Sequence, residues 1–224
     1  MTELLIIRHG ETDWNRQHRF QGQIDVPLNA MGQQQAALLS VALMDEPIEV
    51  LVASDLQRAR STAEALARTG SAARKLTLHI EPLWREQSFG ILEGLDVDTI
   101  QHQHPELWAK WICHDADYAL PEGGESNIHF FERTQQALAA LIARHAGQRV
   151  AVVTHGGVLD MLWRRVHALP LAGPRECDIP NTGINRLRWA DDRLQIVRWA
   201  DAAHLNGLPE QPSTAQSSKG LLQI

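Results

Sequence analysis

The chain has 224 residues, 44% hydrophobic and 21% charged, proportions that exclude collagen-like, coiled-coil and wholly disordered chains and suit one domain whose core needs neither disulfides nor metals. Lys and Arg number 21 against 27 Asp and Glu, a net charge of −6 with the 11 histidines neutral, which argues against whole-surface attraction to nucleic acid or an anionic membrane. Any anion this chain binds must be held by a local pocket.

In chain order, Met1-Thr2-Glu3 runs directly into the apolar run 4–7. No basic leader, cleavage site or bilayer-length apolar stretch appears there, so a cytoplasmic location is expected. The runs 4–7, 50–53 and 150–153 are short, continuous and rich in branched residues, the pattern of strands buried on both faces of a parallel sheet. Helical patterns lie between them. One covers 29–44. A second opens at Ser54-Asp55-Leu56-Gln57, which has capping-box spacing, and runs to about Gly70 with Leu56, Ala59, Ala63 and Leu66 inward. A third covers 126–146, with Ile128, Phe131, Leu138, Leu141 and Ile142 at helical spacing and Gly147 as its stop.

Segments 184–189 and 194–199, joined through Asp191-Asp192, predict a hairpin. The expected fold is α/β: a three-layer α/β/α sandwich whose mostly parallel central sheet carries at least one antiparallel strand, spanning 1–206. Residues 207–224, rich in Pro, Ser, Gln and Gly, are expected to form a mobile tail. Cys113 and Cys177 match no metal or redox spacing and read as packing thiols in a reducing compartment.

Two strand ends are chemically alike: Ile6-Ile7-Arg8-His9-Gly10 and Val152-Val153-Thr154-His155-Gly156. Ligands of open α/β sheets bind outside the carboxyl ends of the strands, so both histidines point to one site. The helix after 50–53 starts at the same edge and carries Arg58. Alone, His155 would read as a satisfied boundary residue and Arg58 as a solvated helix face. Two imidazoles and two guanidiniums meeting at independently predicted strand ends suit phosphoryl transfer without a metal, because guanidinium forks match phosphate oxygens and a neutral imidazole attacks phosphorus. His102 and His104 lack partners at metal-ligand spacing, so no metal or other cofactor is expected. His129 is a candidate substrate wall. Trp108 and Trp111, three apart, suggest core packing before a ligand box.

Arg8-His9-Gly10-Glu11-Thr12, Trp14-Asn15, Phe20-Gln21-Gly22, Pro27-Leu28 and Gly32 resemble the motifs of the histidine phosphatase superfamily, the phosphoglycerate mutase-like enzymes. The run from Ser54 through Arg58 to Ala63 resembles a second family block, Glu86 with Phe89-Gly90 and Glu93-Gly94 a third, and Thr154-His155-Gly156-Gly157-Val158 the last, in the family's order over about residues 3–200. The resemblance implies that His9 is the nucleophile that becomes phosphohistidine. It further implies that Arg8, Arg58 and His155 hold the phosphoryl oxygens and that Glu86 protonates the leaving alkoxide, with Glu93 in reserve. Asn15, Gln21, Gly22 and Gly156 are implied in substrate binding. The second ring nitrogen of His9 is expected to donate to a backbone carbonyl, which would set the tautomer.

Bisphosphoglycerate-dependent mutases of this family usually carry a small hydroxyl residue where this chain has Gln21, and a long basic insertion after the third block. Here 94–124 is short, with Lys110 its single basic residue. The resemblance therefore favours the broad-specificity and ribazole-type phosphatase branch: a metal-independent phosphomonoesterase acting on small phosphorylated metabolites. A bisphosphoglycerate-dependent mutase and a catalytically inactive phosphate-sensing or partner-binding protein are the alternatives. Specificity is expected in 95–126 together with Gln21 and Trp84, and a homodimer through a sheet edge or an exposed helix stays open.

Overall fold

The computed structural model describes residues 1–69 and 76–212. Strand β1 (Thr2–Arg8) leads through the short helix α1 (Asp13–Arg16) to α2 (Ala30–Ala42), whose N-terminus is capped by Asn29 accepting from the Gly32 N–H at 2.8 Å. Next come β2 (Val50–Ala53), α3 (Gln57–Thr69) and β3 (Leu78–Ile80), then α4 (Val97–Gln103) and α5 (Pro105–Ile112). The chain closes with α6 (Asn127–Arg144), β4 (Arg149–Thr154), α7 (Gly156–His167), β5 (Ile184–Ala190) and β6 (Arg193–Asp201).

The sheet order is β3-β2-β4-β1-β5-β6. The pairs β1/β4, β2/β4 and β2/β3 are parallel, whereas β1/β5 and β5/β6 are antiparallel. Leu4, Ile6, Val150 and Val152 pack against Leu138, Leu141, Leu159 and Leu162 of α6 and α7. Their neighbours Leu5, Ile7, Ala151 and Val153 pack on the other side against Leu39, Ala59, Ala63 and Leu66 of α2 and α3. Both faces are covered, which is why the strands read as unbroken apolar runs, and the expected three-layer arrangement with its antiparallel hairpin is present. Asp191 and Asp192 both take positive φ, 50° and 55°, as a two-residue hairpin turn demands.

Some expectations need correction. α3 begins at Gln57 rather than at a Ser54 cap: Ser54 Oγ lies 2.8 Å from His155 Nε2, and the Gln57 N–H donates to Asp25 Oδ1. The expected end of that helix, Gly70, lies outside the described residues. On α6 the innermost positions include Phe130, Thr134 and Ala137, while Ile128, Phe131 and Ile142 are half-buried, because the Phe130 ring fills the space left by Gly157 on α7. α1, α4, α5, α7 and β3 have no counterpart in the sequence reading. The first three are short, β3 has only three residues, and α7 starts on two glycines that weaken any helical signal. Trp84 is fully buried in the core and forms no specificity wall. Trp108 and Trp111 stack on each other, centroids 5.4 Å apart, against a third apolar cluster that holds Phe20, Phe89 and Leu92. Of the expected tail, residues 213–224 lie outside the described residues. Among the described residues no helix is long and apolar enough to cross a membrane.

Candidate active site

Strand register creates the site. Arg8 pairs with Thr154 across the parallel β1/β4 ladder, so His9 and His155 leave the sheet side by side, their rings 5.2 Å apart. Ala53 pairs with Val153, which brings Ser54 against His155 and places the start of α3, with Arg58, over the same edge.

The His9 loop is tied down on all sides. Its N–H donates to Thr154 O at 2.9 Å, its carbonyl accepts from Asn181 Nδ2 at 2.9 Å, and the Gly10 N–H donates to Thr62 Oγ1 at 3.0 Å. The His9 Nδ1 lies 2.6 Å from Gly10 O. A carbonyl only accepts, so Nδ1 carries the proton, as expected, and Nε2 keeps the lone pair. Burial, then the charges of Arg58 and Arg8, holds the His9 imidazole well below its ordinary pKa; burial and Arg58 do the same to His155.

Both guanidiniums are buried. Arg58 donates from Nη1 to Ile24 O at 2.8 Å and from Nη2 to Gly22 O at 2.7 Å. Arg8 donates from Nη1 to Ile179 O at 2.7 Å. Burial lowers each to about 10, with Arg175 the next cause at Arg8, and the Glu86 carboxylate opposes the shift at both. Arg8 Nε, Arg58 Nε and His155 Nδ1 are buried with no hydrogen-bond partner among the described residues. Unmet buried donors of this kind cost about 1–3 kcal/mol each unless a ligand takes them.

A cleft of about 560 Å³ opens at this edge, lined by Arg8, His9, Asn15, Gln21, Gly22, Arg58, Glu86 and Gly156. Eight of the nine residues named as catalytic or binding from the sequence therefore share one cavity; the ninth, His155, is not among its lining residues, and its ring lies 5.2 Å from that of His9. Asn15 Oδ1 accepts from the Thr12 N–H and hydroxyl, which leaves its amide N–H groups toward the cleft. Gln21 Oε1 accepts from Thr12 Oγ1 at 3.0 Å. Gly22 has φ +50°, and a Cβ there would stand 2.0 Å from Glu93 Oε1, so glycine is required for its carbonyl to reach Arg58. Glu93 itself is taken up by the N–H groups of Gln23 and Phe89, and Glu11 by Arg16 and Asn29. Glu86 is the carboxylate that lines the cleft, held by the N–H groups of Gln87 at 2.9 Å and Gly157 at 3.1 Å. His129 is exposed and lies outside the cleft. The sequence reading missed Trp14, Arg19 and Arg175 on the cleft wall; Arg175 sits in an irregular loop, where only its place after Gly173-Pro174 could have drawn notice.

Two expectations follow. A Cβ at Gly157 would stand 2.1 Å from Glu86 Oε1 and 2.9 Å from the Phe130 ring. Gly157→Ala should therefore displace Glu86 and lower kcat on alkyl phosphates by about 10²-fold, the size of effect a misplacement of about 1 Å can have; steady-state kinetics beside a thermal melt check it. The second concerns pH. An unfolded imidazole takes up its proton near pH 6.5, whereas folded His9 and His155 stay neutral until well below that. Below pH 6.5 the unfolded state therefore binds more protons, and stability falls as pH is lowered. Urea unfolding at about pH 7.5 and 5.5 should show the lower midpoint at the acid pH.

A profile of the histidine phosphatase superfamily (branch 1) matches residues 4–202. The chain is 34% identical over 209 residues to a metal-independent phosphoserine phosphatase of Arabidopsis thaliana, covering 93% of this chain and 85% of that protein. It is 32% identical over 212 residues to a probable phosphoglycerate mutase of Escherichia fergusonii, covering 92% and 96%. Among solved structures it is similar to a mycobacterial glucosyl-3-phosphoglycerate phosphatase, with a TM-score of 0.78, 29% identity and coverage of 89% and 99%. Two paired strand ends, each closing on a histidine, and a motif order matched along nearly the whole chain lead to one assignment: the chain belongs to branch 1 of the histidine phosphatase superfamily and is a phosphatase of that type.

Proposed function

We propose that this protein hydrolyses small phosphomonoesters, without a metal, through a phosphohistidine at His9. The observation that carries the reading is the His9 Nδ1 contact to Gly10 O at 2.6 Å in a ring held neutral between two buried guanidiniums. Of the two ring nitrogens, Nε2 alone is left to attack a phosphorus atom in the cleft.

In the first step Nε2 forms the N–P bond as the ester P–O bond breaks, and Glu86 delivers a proton to the departing alkoxide. Arg8, Arg58, the Asn15 amide and the Nδ1–H of His155 stabilise the three equatorial oxygens as charge builds on them. Ser54 Oγ accepts from the Leu56 N–H at 3.3 Å and lies 2.8 Å from His155 Nε2; with the hydroxyl proton given to Nε2, His155 carries its own proton on Nδ1. In the second step the Glu86 carboxylate takes a proton from water, which attacks the phosphorus and releases His9. Gln21, Gly22 and Gly156 shape the wall around the group in transit.

Rapid acid quench with a radiolabelled phosphomonoester tests this. An acid-labile, base-stable label on the wild type supports the reading, and its absence leaves a phosphate-binding module as the better account. Turnover of 3-phosphoglycerate with and without bisphosphoglycerate separates hydrolysis from mutase activity.

A further inference from the structure

The chain beyond β6 turns back onto the molecule. A short turn of 3-10 helix (Ala203–Leu205) leads to residues 207–212, and Pro212 reaches the wall of the cleft. Just before it, Gln211 makes a two-point contact with the backbone of Asn181: the Asn181 N–H donates to Gln211 Oε1 at 2.6 Å, and Gln211 Nε2 donates to Asn181 O at 3.2 Å. A backbone N–H and C=O met together call for an acceptor and a donor side by side, which a side-chain amide offers and a carboxylate or an ammonium does not.

Asn181 is where this contact meets the chemistry. Segment 179–182 leads into β5, which pairs with β1 on the side opposite β4, and it holds the end of β1 at three points. Asn181 Nδ2 donates to His9 O at 2.9 Å, the Thr182 N–H donates to Arg8 O at 3.0 Å, and Ile179 O accepts from Arg8 Nη1 at 2.7 Å. Thr182 does this fully buried and at φ +54°, a left-handed backbone that a β-branched residue keeps only where its surroundings impose it. Two contacts from the C-terminal stretch brace that turn: Gln211 on Asn181, and His204, whose Nε2 lies 3.2 Å from Thr182 Oγ1.

The His9–Gly10 peptide is fixed at its oxygen by Asn181 and at its N–H by Thr62. The ring of His9 is in turn fixed by Nδ1 on Gly10 O, so the direction in which Nε2 points depends on both ends of that peptide. Without Gln211 the N–H and C=O of Asn181, a residue only 1% exposed, lose their partners, and the turn that relaxes to find others carries the Asn181 amide with it. The guanidinium of Arg8 hangs instead on Ile179 O, two residues from the clasp.

We propose that Gln211 is a positioning residue for phosphoryl transfer: by clasping the Asn181 peptide it holds the His9–Gly10 peptide in the orientation that aims Nε2 into the cleft. The proposal rests on the phosphohistidine reading above. It makes the stretch after β6, at the far end of the chain from the nucleophile, part of the working site.

Gln211→Ala is expected to lower kcat on a phosphomonoester about tenfold, with KM within about twofold of the wild type. Vanadate, which takes the five-coordinate geometry of the transition state and needs Nε2 in line, should bind the variant about tenfold more weakly, while inorganic phosphate, held by the guanidiniums, should bind as it does to the wild type. A merely structural role would move both ligands alike or neither. Gln211→Glu keeps the acceptor for the Asn181 N–H and loses the donor to Asn181 O, so it should fall between, and it carries the same comparison if the alanine variant does not fold. A kcat within about twofold of the wild type, or equal losses of vanadate and phosphate, overturns the proposal and leaves the phosphatase reading intact. A wild type that forms no acid-labile label overturns the phosphohistidine reading instead, and the nitrogen-15 shifts of the His9 ring then decide: the proposal stands if Gln211→Ala mixes the two tautomers and falls if the Nδ1–H form stays as populated as in the wild type.

Discussion

His9→Ala is expected to lower kcat by a factor on the order of 10⁴ to 10⁶, the scale on which removal of a nucleophile from a coupled site acts, and to abolish the acid-labile label in the quench experiment. The main-chain contacts of this residue, to Thr154 O and from Asn181 Nδ2, do not involve its side chain, so the loop should keep its course. Taking a ring out of a site crowded by Arg8, Arg58 and Arg175 also relieves nothing electrostatic, because that ring is neutral. The melting temperature should therefore stay close to that of the wild type while phosphate or vanadate still binds. Turnover within tenfold of the wild type would remove His9 from the nucleophile role.

Glu86→Gln should separate substrates by their leaving groups. An alkyl phosphate expels a strongly basic alkoxide that needs a proton, and the loss expected there is about 10²–10⁴-fold, the usual contribution of a general acid. An aryl phosphate such as p-nitrophenyl phosphate leaves as a stable anion, and the loss of its first step should be far smaller. The glutamine can still accept from the N–H groups of Gln87 and Gly157 that hold the carboxylate at 2.9 and 3.1 Å, so misplacement is not the expected cause. Burst kinetics on the aryl ester, with fast label formation and slow release, would show that Glu86 also serves the water step. Equal losses on both ester types would take the acid role away from Glu86 and turn attention to its charge, which opposes the shifts at Arg8 and Arg58.

The strands were legible because each is a local statement. The runs 4–7, 50–53 and 150–153 are apolar at every position, and only a sheet covered on both faces makes such runs favourable. α2 and α6 were legible as the amphipathic patterns over 29–44 and 126–146, and in the structure Asn29 and Ser126 cap them by accepting first-turn N–H groups. α7 was not, since its Gly156-Gly157 start looks like a loop; those glycines are there for what packs on them, Glu86 and Phe130 at Gly157 and two guanidiniums at Gly156. Ser54 misled for a related reason. Its spacing from Gln57 suits a cap, but a hydroxyl within 2.8 Å of His155 Nε2 has a stronger partner.

By itself the sequence determined the α/β architecture, the edge at which His9 and His155 emerge, and the family to which the chain belongs, because short-range pattern and motif order carry that information. Only the tertiary structure decided which of Glu11, Glu86 and Glu93 faces the cleft, that both imidazoles are neutral, and that Arg175 joins the site. Those outcomes depend on burial and on through-space distances between residues far apart along the chain, and desolvation and Coulomb forces are set by three-dimensional neighbours rather than by sequence neighbours.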